Sequence, residues 1–345
     1  MSDRAIREWM EYLTPDDVGR TVRTSLLGVC VIEEVTEMQL NTPPAPPGIY
    51  PGMPESEYRP MDAMNWSTLK LSRRSLAHMQ HSLRNPRRPS PEMIFGTRAH
   101  EHLLEPDVYE SRYVVMPDLT EGIVDPKTGK PYAKPRASKV YREAVAEWEL
   151  ENAGRETIDE ADDLAIRSMA HKVRSEPEAR GIAEAPQREV VVVAELLGVV
   201  CKGKLDGLDA AAGVVWDYKT AKTAEPEPFK NDAWRLGYFG QAAFYVDLVA
   251  ARGCDVREFR IVAQEKEAPY EIAVYRIGPD ELAIGRSLYE SLLSRYSCAK
   301  AARTFPGYGD GAVINLVPPA WACRDAEGAD APAPSFESVF GDESA

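Results

Sequence analysis

The chain has 345 residues, with 41 Lys plus Arg against 55 Asp plus Glu, a formal net charge of −14, and 44% hydrophobic side chains. This is ordinary globular composition, long enough for one large domain or two smaller ones, and its acidic balance excludes the usual profile of a histone-like or polybasic nucleic-acid binder, though not a local basic surface. No apolar run reaches the roughly 18–20 residues of a membrane span, since Val190 to Val200 is interrupted by Glu195, and the opening Met-Ser-Asp-Arg has no hydrophobic signal region, so a cytoplasmic protein is expected.

Residues 1–40 suit a short helix, Arg4 to Tyr12, and a strand-like segment, Leu26 to Ile32. Seven prolines between Pro43 and Pro60 fit an extended connector better than a packed element. Leu69, Leu76, Met79 and Leu83, behind a candidate N-cap at Asn65 or Ser67, predict a helix over 66–83. Ile94 to Leu104 predicts a second helix and Tyr113 to Met116 a short strand. Gly122 to Pro135 reads as a mobile polar loop, followed by helices at 137–152 and 159–175.

Charge is uneven over these elements. Residues 59–100 carry 8 basic and 2 acidic side chains, whereas residues 1–58 and 101–188 each sum to −6 and the tail 324–345 to −5. Arg73, Arg74, Arg84, Arg87, Arg88 and Arg98, with His78 and His81 between them, form the basic island. It reads either as a solvated helix face and loop or as a DNA-binding surface, because a planar guanidinium can make two hydrogen bonds to one phosphate.

The strongest fold signal begins at Glu189. Val190 to Val193 is β-branched, Glu195-Leu196-Leu197-Gly198 turns into Val199 to Leu208, and a Gly-containing turn at 210–213 leads to Val214 to Lys219. This predicts an antiparallel three-stranded meander. A long amphipathic helix over 231–251 follows, stopped at Gly253, then strands at 257–264 and 270–277 and a helix from about 280 to 302. The tail beyond Arg324 is acidic, Ala/Pro-rich and expected to be disordered.

Asp206 and Asp217 flank the turn between the second and third strands, and Lys219 lies two residues past Asp217. Residues two apart in a strand share a face, so Asp217 and Lys219 project together, with Asp206 beside them if the strands pair. Two carboxylates can hold a divalent metal while an ammonium stands near a nucleophile; Mg²⁺, a hard cation that keeps several waters, suits such a site. An Asp-x-Lys match alone also describes a surface ion pair. Unpaired charge at the ends of two apolar strands inside a sheet is costly and is more often functional.

Five blocks in order make the pattern more specific: Gly96-Thr97-Arg98-Ala99-His100-Glu101-His102-Leu103-Leu104-Glu105-Pro106, Cys201 to Asp206, Asp217-Tyr218-Lys219-Thr220, Gly237 to Tyr245, and Glu265-Lys266-Glu267-Ala268-Pro269-Tyr270. With Gly48-Ile49-Tyr50 and Asn65-Trp66-Ser67 upstream, the chain from about Gly48 to Trp321 resembles the RecE-type (exonuclease VIII-like) branch of the PD-(D/E)XK nuclease superfamily. The resemblance implies an α/β restriction-endonuclease-like core, a small mixed sheet flanked by helices, over 48–323, behind an N-terminal extension 1–47 that matches nothing recognised. It implies His100, Asp206 and Asp217 as metal ligands, Lys219 as the catalytic lysine, and the Tyr218 backbone carbonyl as a further ligand. Gln241 and Tyr245 match a Gln-x-x-x-Tyr pair on one helix face. Taken singly, His100 and Tyr245 could be core residues and Gln241 a cap on a sheet edge. His102 reads as structural, and Glu189 and Glu195, either of which could add an acidic ligand, read as surface or structural residues.

The five cysteines (30, 201, 254, 298, 323) are widely spaced without a Cys-x-x-Cys pair, which reads as reduced thiols and separates the chain from iron–sulfur relatives of the superfamily. The resemblance to RecE-type enzymes implies Mg²⁺-dependent (Mn²⁺ able to substitute) 5′→3′ exonucleolytic digestion of linear double-stranded DNA by a phage-derived enzyme. It would leave 3′ single strands for a RecT-type single-strand annealing protein and work as a homo-oligomeric ring on DNA ends. The rival readings are a non-catalytic DNA-end-binding recombination scaffold on the same fold and an endonuclease of the same superfamily.

Overall fold

The computed structural model describes residues 21–24, 28–31, 46–86, 88–121, 123–124, 128–132, 134–309 and 312–318. The expected helix Arg4–Tyr12, the tail from 324, and Arg87 lie outside them. The chain divides into two compact units, residues 1–305 and 306–345. In the second, the described residues are irregular apart from a turn in which the Gly309 carbonyl accepts from the Ala312 amide.

Thr21–Thr24 (β1) and Gly28–Val31 (β2) pair as an antiparallel hairpin, the latter inside the expected strand segment. The proline-rich stretch is more structured than a connector. Gly48–Tyr50 (β3) pairs with a later strand and Glu55–Tyr58 (α1) makes one helical turn. Its prolines flank the short strand, which sits at a sheet edge where missing amide donors are tolerated.

The helix expected over 66–83 is interrupted. Trp66–Leu69 (α2) is capped by the Asn65 side chain, which accepts from the Thr68 amide; a 3-10 turn covers Lys70–Arg73, and Leu76–Arg84 (α3) restarts on a Ser75 cap. Serine hydroxyls cause the break: Ser72 donates to the Leu69 carbonyl and Ser75 accepts from the His78 amide, in place of continuous helical bonding. Pro91–Leu104 (α4) starts earlier than expected because Ser90 caps it and Pro91 fits a first helical turn.

Pro106–Arg112 (α5), Tyr113–Val115 (β4), Lys139–Glu151 (α6), Glu156–Ile158 (β5), Glu160–Ser175 (α7) and Gly181–Glu184 (α8) follow, with β4 and β5 forming a separate parallel pair. Among the described residues of the polar loop ahead of α6, Val124 bridges to Pro131.

The meander forms as expected from Gln187–Leu196 (β6), Val199–Asp209 (β7) and Val214–Ala221 (β8). Leu197 and Gly198, both at positive φ (49° and 75°), make the two-residue turn between β6 and β7. The single helix expected over 231–251 is two, Pro226–Leu236 (α9) and Tyr238–Ala250 (α10). Gly237 breaks it at φ 82°, where a Cβ would stand 3.0 Å from the Trp66 ring. Glu258–Glu265 (β9), Ile272–Ile277 (β10) and Pro279–Ala302 (α11) complete the unit.

The main sheet has the order β10-β9-β8-β7-β6-β3; only β8 and β9 are parallel, joined through α9 and α10. Alternate residues feed two cores. Val190, Val192, Leu205 and Val215 pack with Phe244, Leu248 and Leu293 from α10 and α11, whereas Val214, Trp216, Tyr218 and Val262 pack with Leu103, Ile166 and Ile182 from α4, α7 and α8. Each such fully buried side chain contributes about 1.5–3 kcal/mol. Close approach by α10 relies on glycines: a Cβ at Gly240 would lie 2.2 Å from the Trp66 ring, and one at Gly285 2.1 Å from the Phe239 carbonyl oxygen.

Candidate active site

The pairing of β7 with β8 stops at Gly207 and Trp216, so the two strands part at the residues that carry Asp206 and Asp217. One orphaned backbone donor in this fork is satisfied by a side chain: the Tyr218 amide donates to Asp206 Oδ2 at 2.6 Å. The freed edge of β7 is taken by Met64, whose amide donates to the Val200 carbonyl and whose carbonyl accepts from Lys202.

Asp217 and Lys219 share a face of β8, as their spacing predicts, and Lys219 Nζ lies 2.6 Å from Asp217 Oδ2. The other carboxylate oxygen accepts from Gln241 Nε2 on α10 at 2.9 Å. Tyr245, one turn further along α10, is buried against Gly203 of β7, and its hydroxyl is hydrogen-bonded with Gln241. Tyr238 presents its ring to the Lys219 ammonium, 5.2 Å from the centroid.

On the other side of the fork, α4 brings His100 to the sheet, with Nδ1 3.6 Å from Asp206 Oδ2. Its ring stands edge-on to that of Tyr218, 4.9 Å away, and it is hydrogen-bonded with the Tyr218 main chain. Tyr218 turns its side chain into the core it shares with Leu103 of α4, where its hydroxyl donates to Gln264 Oε1. His102 is buried edge-on against Tyr109, with Nε2 4.0 Å from Glu110 Oε1, and is not part of the His100–Glu189–Asp206 cluster.

The residue that sequence reasoning set aside is Glu189. The flanking pairs Arg188–Gly207 and Val190–Leu205 of the β6–β7 ladder set it across from Asp206, and one donor atom from each of His100, Glu189 and Asp206 falls within 4.8 Å of the others. Its backbone is left-handed, φ 49°, a strained conformation for a residue other than glycine. Lys204 ion-pairs with its carboxylate. The signal was present: a two-residue turn at 197–198 pairs residues 196 and 199, and counting back along the ladder puts 189 opposite 206. Glu195, also on β6, pairs with Val200 near the turn, remote from this cluster.

The electrostatics follow from crowding in a buried fork. Burial and the neighbouring Asp206 charge push Glu189 up to about 7. Burial, with Asp206 again adding, raises Asp217 to about 6 despite the opposing Lys219. Asp206 is raised by burial, against the pull of Lys219. Burial works against charge on Lys219 too, but the Asp217 and Asp206 carboxylates outweigh it and hold the ammonium above its ordinary value. His100 is lowered by burial and by Lys219, so it offers a neutral imidazole lone pair. The two carboxylates Glu189 and Asp206, both with depressed acidity, and one neutral imidazole are a donor set that a hard divalent cation fits, because such a cation offsets the burial and repulsion that raise their pKa values.

The basic island is divided by the fold. Arg73 Nη1 donates to the Trp234 and Arg235 carbonyls at the end of α9, at 3.3 and 3.0 Å, and Arg74 lies beside it in a groove. Arg84 ends α3 and Arg88 is exposed beyond it. Arg98 is half-buried on α4, with its guanidinium 5.1 Å from the centroid of Tyr113.

A family model described as a PDDEXK-like domain of unknown function (DUF3799) matches residues 65–315. A solved structure from Eubacterium rectale, of a protein named provisionally as an exonuclease, shares 14% identity at a TM-score of 0.48, covering 79% of this chain and 96% of that one. The solved protein SSO0001 shares 18% identity at a TM-score of 0.24, over 44% of this chain and 74% of that one. No curated protein matches the sequence. Among the described residues no helix is long and apolar enough to cross a membrane.

Proposed function

This chain belongs to the PDDEXK-like domain family, and we propose that it is a divalent-metal-dependent DNA exonuclease acting 5′→3′ on linear duplex. The observation that carries the reading is the fork itself: His100, Glu189 and Asp206 converge on one side of it and the Asp217–Lys219 pair on the other. His100, Glu189 and Asp206 would hold the ion, with Asp217 adjoining. A hard divalent cation there would supply a Lewis acid that polarises a phosphodiester oxygen and acidifies a water.

The chain's own groups do the rest. Lys219, kept protonated by Asp217 and Asp206, donates hydrogen bonds to the attacking water or to a phosphate oxygen. Gln241 fixes the Asp217 carboxylate by holding one oxygen, which leaves the other for Lys219. His100, uncharged, lends a lone pair without adding positive charge. Burial of Asp217, 2% exposed, keeps competing water away and strengthens each of these interactions.

Direction of digestion, Mg²⁺ as the working ion, a ring of subunits, a phage origin and delivery of 3′ strands to a RecT-type annealing protein are supported by the sequence resemblance to RecE-type enzymes. The test is Mg²⁺-dependent release of nucleotides from linear duplex labelled at either the 5′ or the 3′ end, against closed circular DNA. Wild type should shorten the linear substrate from its 5′ ends and leave the circle intact, and Lys219→Ala should be inert. An inert wild type, or a variant equal to it, overturns the nuclease reading in favour of a DNA-end-binding scaffold. Cutting of the circle would make the protein an endonuclease.

A further inference from the structure

Beside the fork lies a groove of about 1140 Å³ between the 70–85 segment and the end of α9. That exceeds the roughly 300–1000 Å³ of small-ligand pockets. Lys70, Arg73, Arg74, His78 and His81 line one wall and Arg235 the other, and no carboxylate lines it among the described residues. His78 and His81 on α3 and Asn85 at its C-cap recur at helical spacing, so the polar wall continues about 10 Å beyond the Lys70–Arg74 cations. The inner end is Lys70, half-buried and within the field of Lys219 and Asp217. Arg73, bonded to the last α9 carbonyls, ties the two walls together.

We propose that this groove binds the sugar-phosphate backbone of one DNA strand and leads it to the fork, with Lys70 gripping the phosphate next to the one that reaches Asp217. The occupant is a single strand because the pair at the end of the path is recessed: Asp217 is 2% and the Lys219 side chain 18% exposed, so a strand must leave its partner to arrive there. No Phe, Tyr or Trp lines the groove among the described residues, so contact is with phosphates and is independent of sequence. The direction of travel rests on the nuclease reading; binding does not.

The experiment is fluorescence anisotropy of the full chain in EDTA with labelled 8-nucleotide single strands of two unrelated sequences and with a blunt duplex of the same length. Both single strands should bind alike and more tightly than the duplex. Lys70→Gln and Arg235→Gln should each weaken single-strand binding about 10-fold and lower the slope of log affinity against log salt by about 0.7. Lys139→Gln, on α6, serves as a control and should change neither. Arg235 is exposed, so its variant keeps the test open if Lys70→Gln folds poorly. Groove variants that bind as wild type does, or duplex preferred over single strands, overturn the proposal. Groove-dependent binding by a chain that releases no nucleotides would sink the nuclease reading alone; nucleotide release with no groove effect would sink this one alone.

Discussion

Gln241 donates its side-chain amide to Asp217 across 2.9 Å, from a helix separated from that strand by one further helix in the chain. A carboxylate 2% exposed is thereby held on one oxygen by a neutral donor and on the other by the Lys219 ammonium. Gln241→Leu removes the first contact and keeps much of the volume. Activity should fall about 10–100-fold, as for the loss of other partners that orient a ligating group. A pH–rate profile checks the cause: the acidic limb should move upward, since Asp217, already raised to about 6, loses a donor to its charged form.

Lys219→Met separates charge from size. At pH 8 and without metal, the buried Asp217 and Asp206 lose their nearest counter-charge, and thermal melts should show a loss of about 3 kcal/mol. Added Mn²⁺ or Mg²⁺ should recover much of it. Turnover should stay at least about 100-fold down, because the cation that positions the water or phosphate is gone.

The metal-free protein should be less stable in mild alkali than in mild acid. Glu189 keeps its proton up to about 7 in the folded state against 4.5 ordinarily, and Asp217 up to about 6 against 3.8. A raised carboxyl binds more protons folded than unfolded, so this stability is full below the ordinary values and is lost as pH rises through those windows. A divalent cation binds the deprotonated set, so its effect should run the other way. The Mg²⁺-induced rise in melting temperature should be at least about 3 °C larger at pH 8 than at pH 5.5. Equal rises at both pH values would remove the carboxylate cluster as the binding site.

Lys202 carries a different pH signature. The residue is 3% exposed, its ammonium donates to the Tyr58, Arg59 and Met61 carbonyls at 2.7, 3.1 and 2.9 Å, and burial lowers it to about 8. Between that value and the ordinary 10.5 the unfolded chain binds the proton and the folded one does not, so this group adds stability as pH rises through the window. Lys202→Met should abolish that increment. At pH 7 it should cost about 1–3 kcal/mol for carbonyls left unpaired, read by urea unfolding at pH 7, 8 and 10.

Much of the fold is legible in the sequence because its centre is written in local signals. The β-branched run at Val190 to Val193 and the turns at Gly198 and Gly213 mark the meander, and a period of two places Asp217 with Lys219. Glu189 is illegible without register: nothing about a lone glutamate before an apolar run says that it faces Asp206, and only the count from a two-residue turn does. The breaks at Gly237 and at Ser72–Ser75 are hidden for the opposite reason. Each lies inside an unbroken apolar period, and what ends the helix is either a tertiary neighbour, the Trp66 ring, or a side-chain bond that propensity does not weigh. The stretch Pro43 to Pro60 looks too rich in proline to pair, yet an edge strand needs only three residues at Gly48–Tyr50.

The parallel pairing of β8 with β9 sets the order in which this protein can become competent. A β6–β7–β8 meander closes short loops and can form early, but it holds only Glu189, Asp206, Asp217 and Lys219. Gln241 arrives only when the α9–α10 crossover has folded back and β9 has docked, a closure of about forty residues that is slow to search. His100 comes from still further away in sequence, on α4. In refolding, sheet structure should therefore precede the functional fork, and a chain interrupted in synthesis before β9 would carry the acidic residues with Gln241 not yet docked against them.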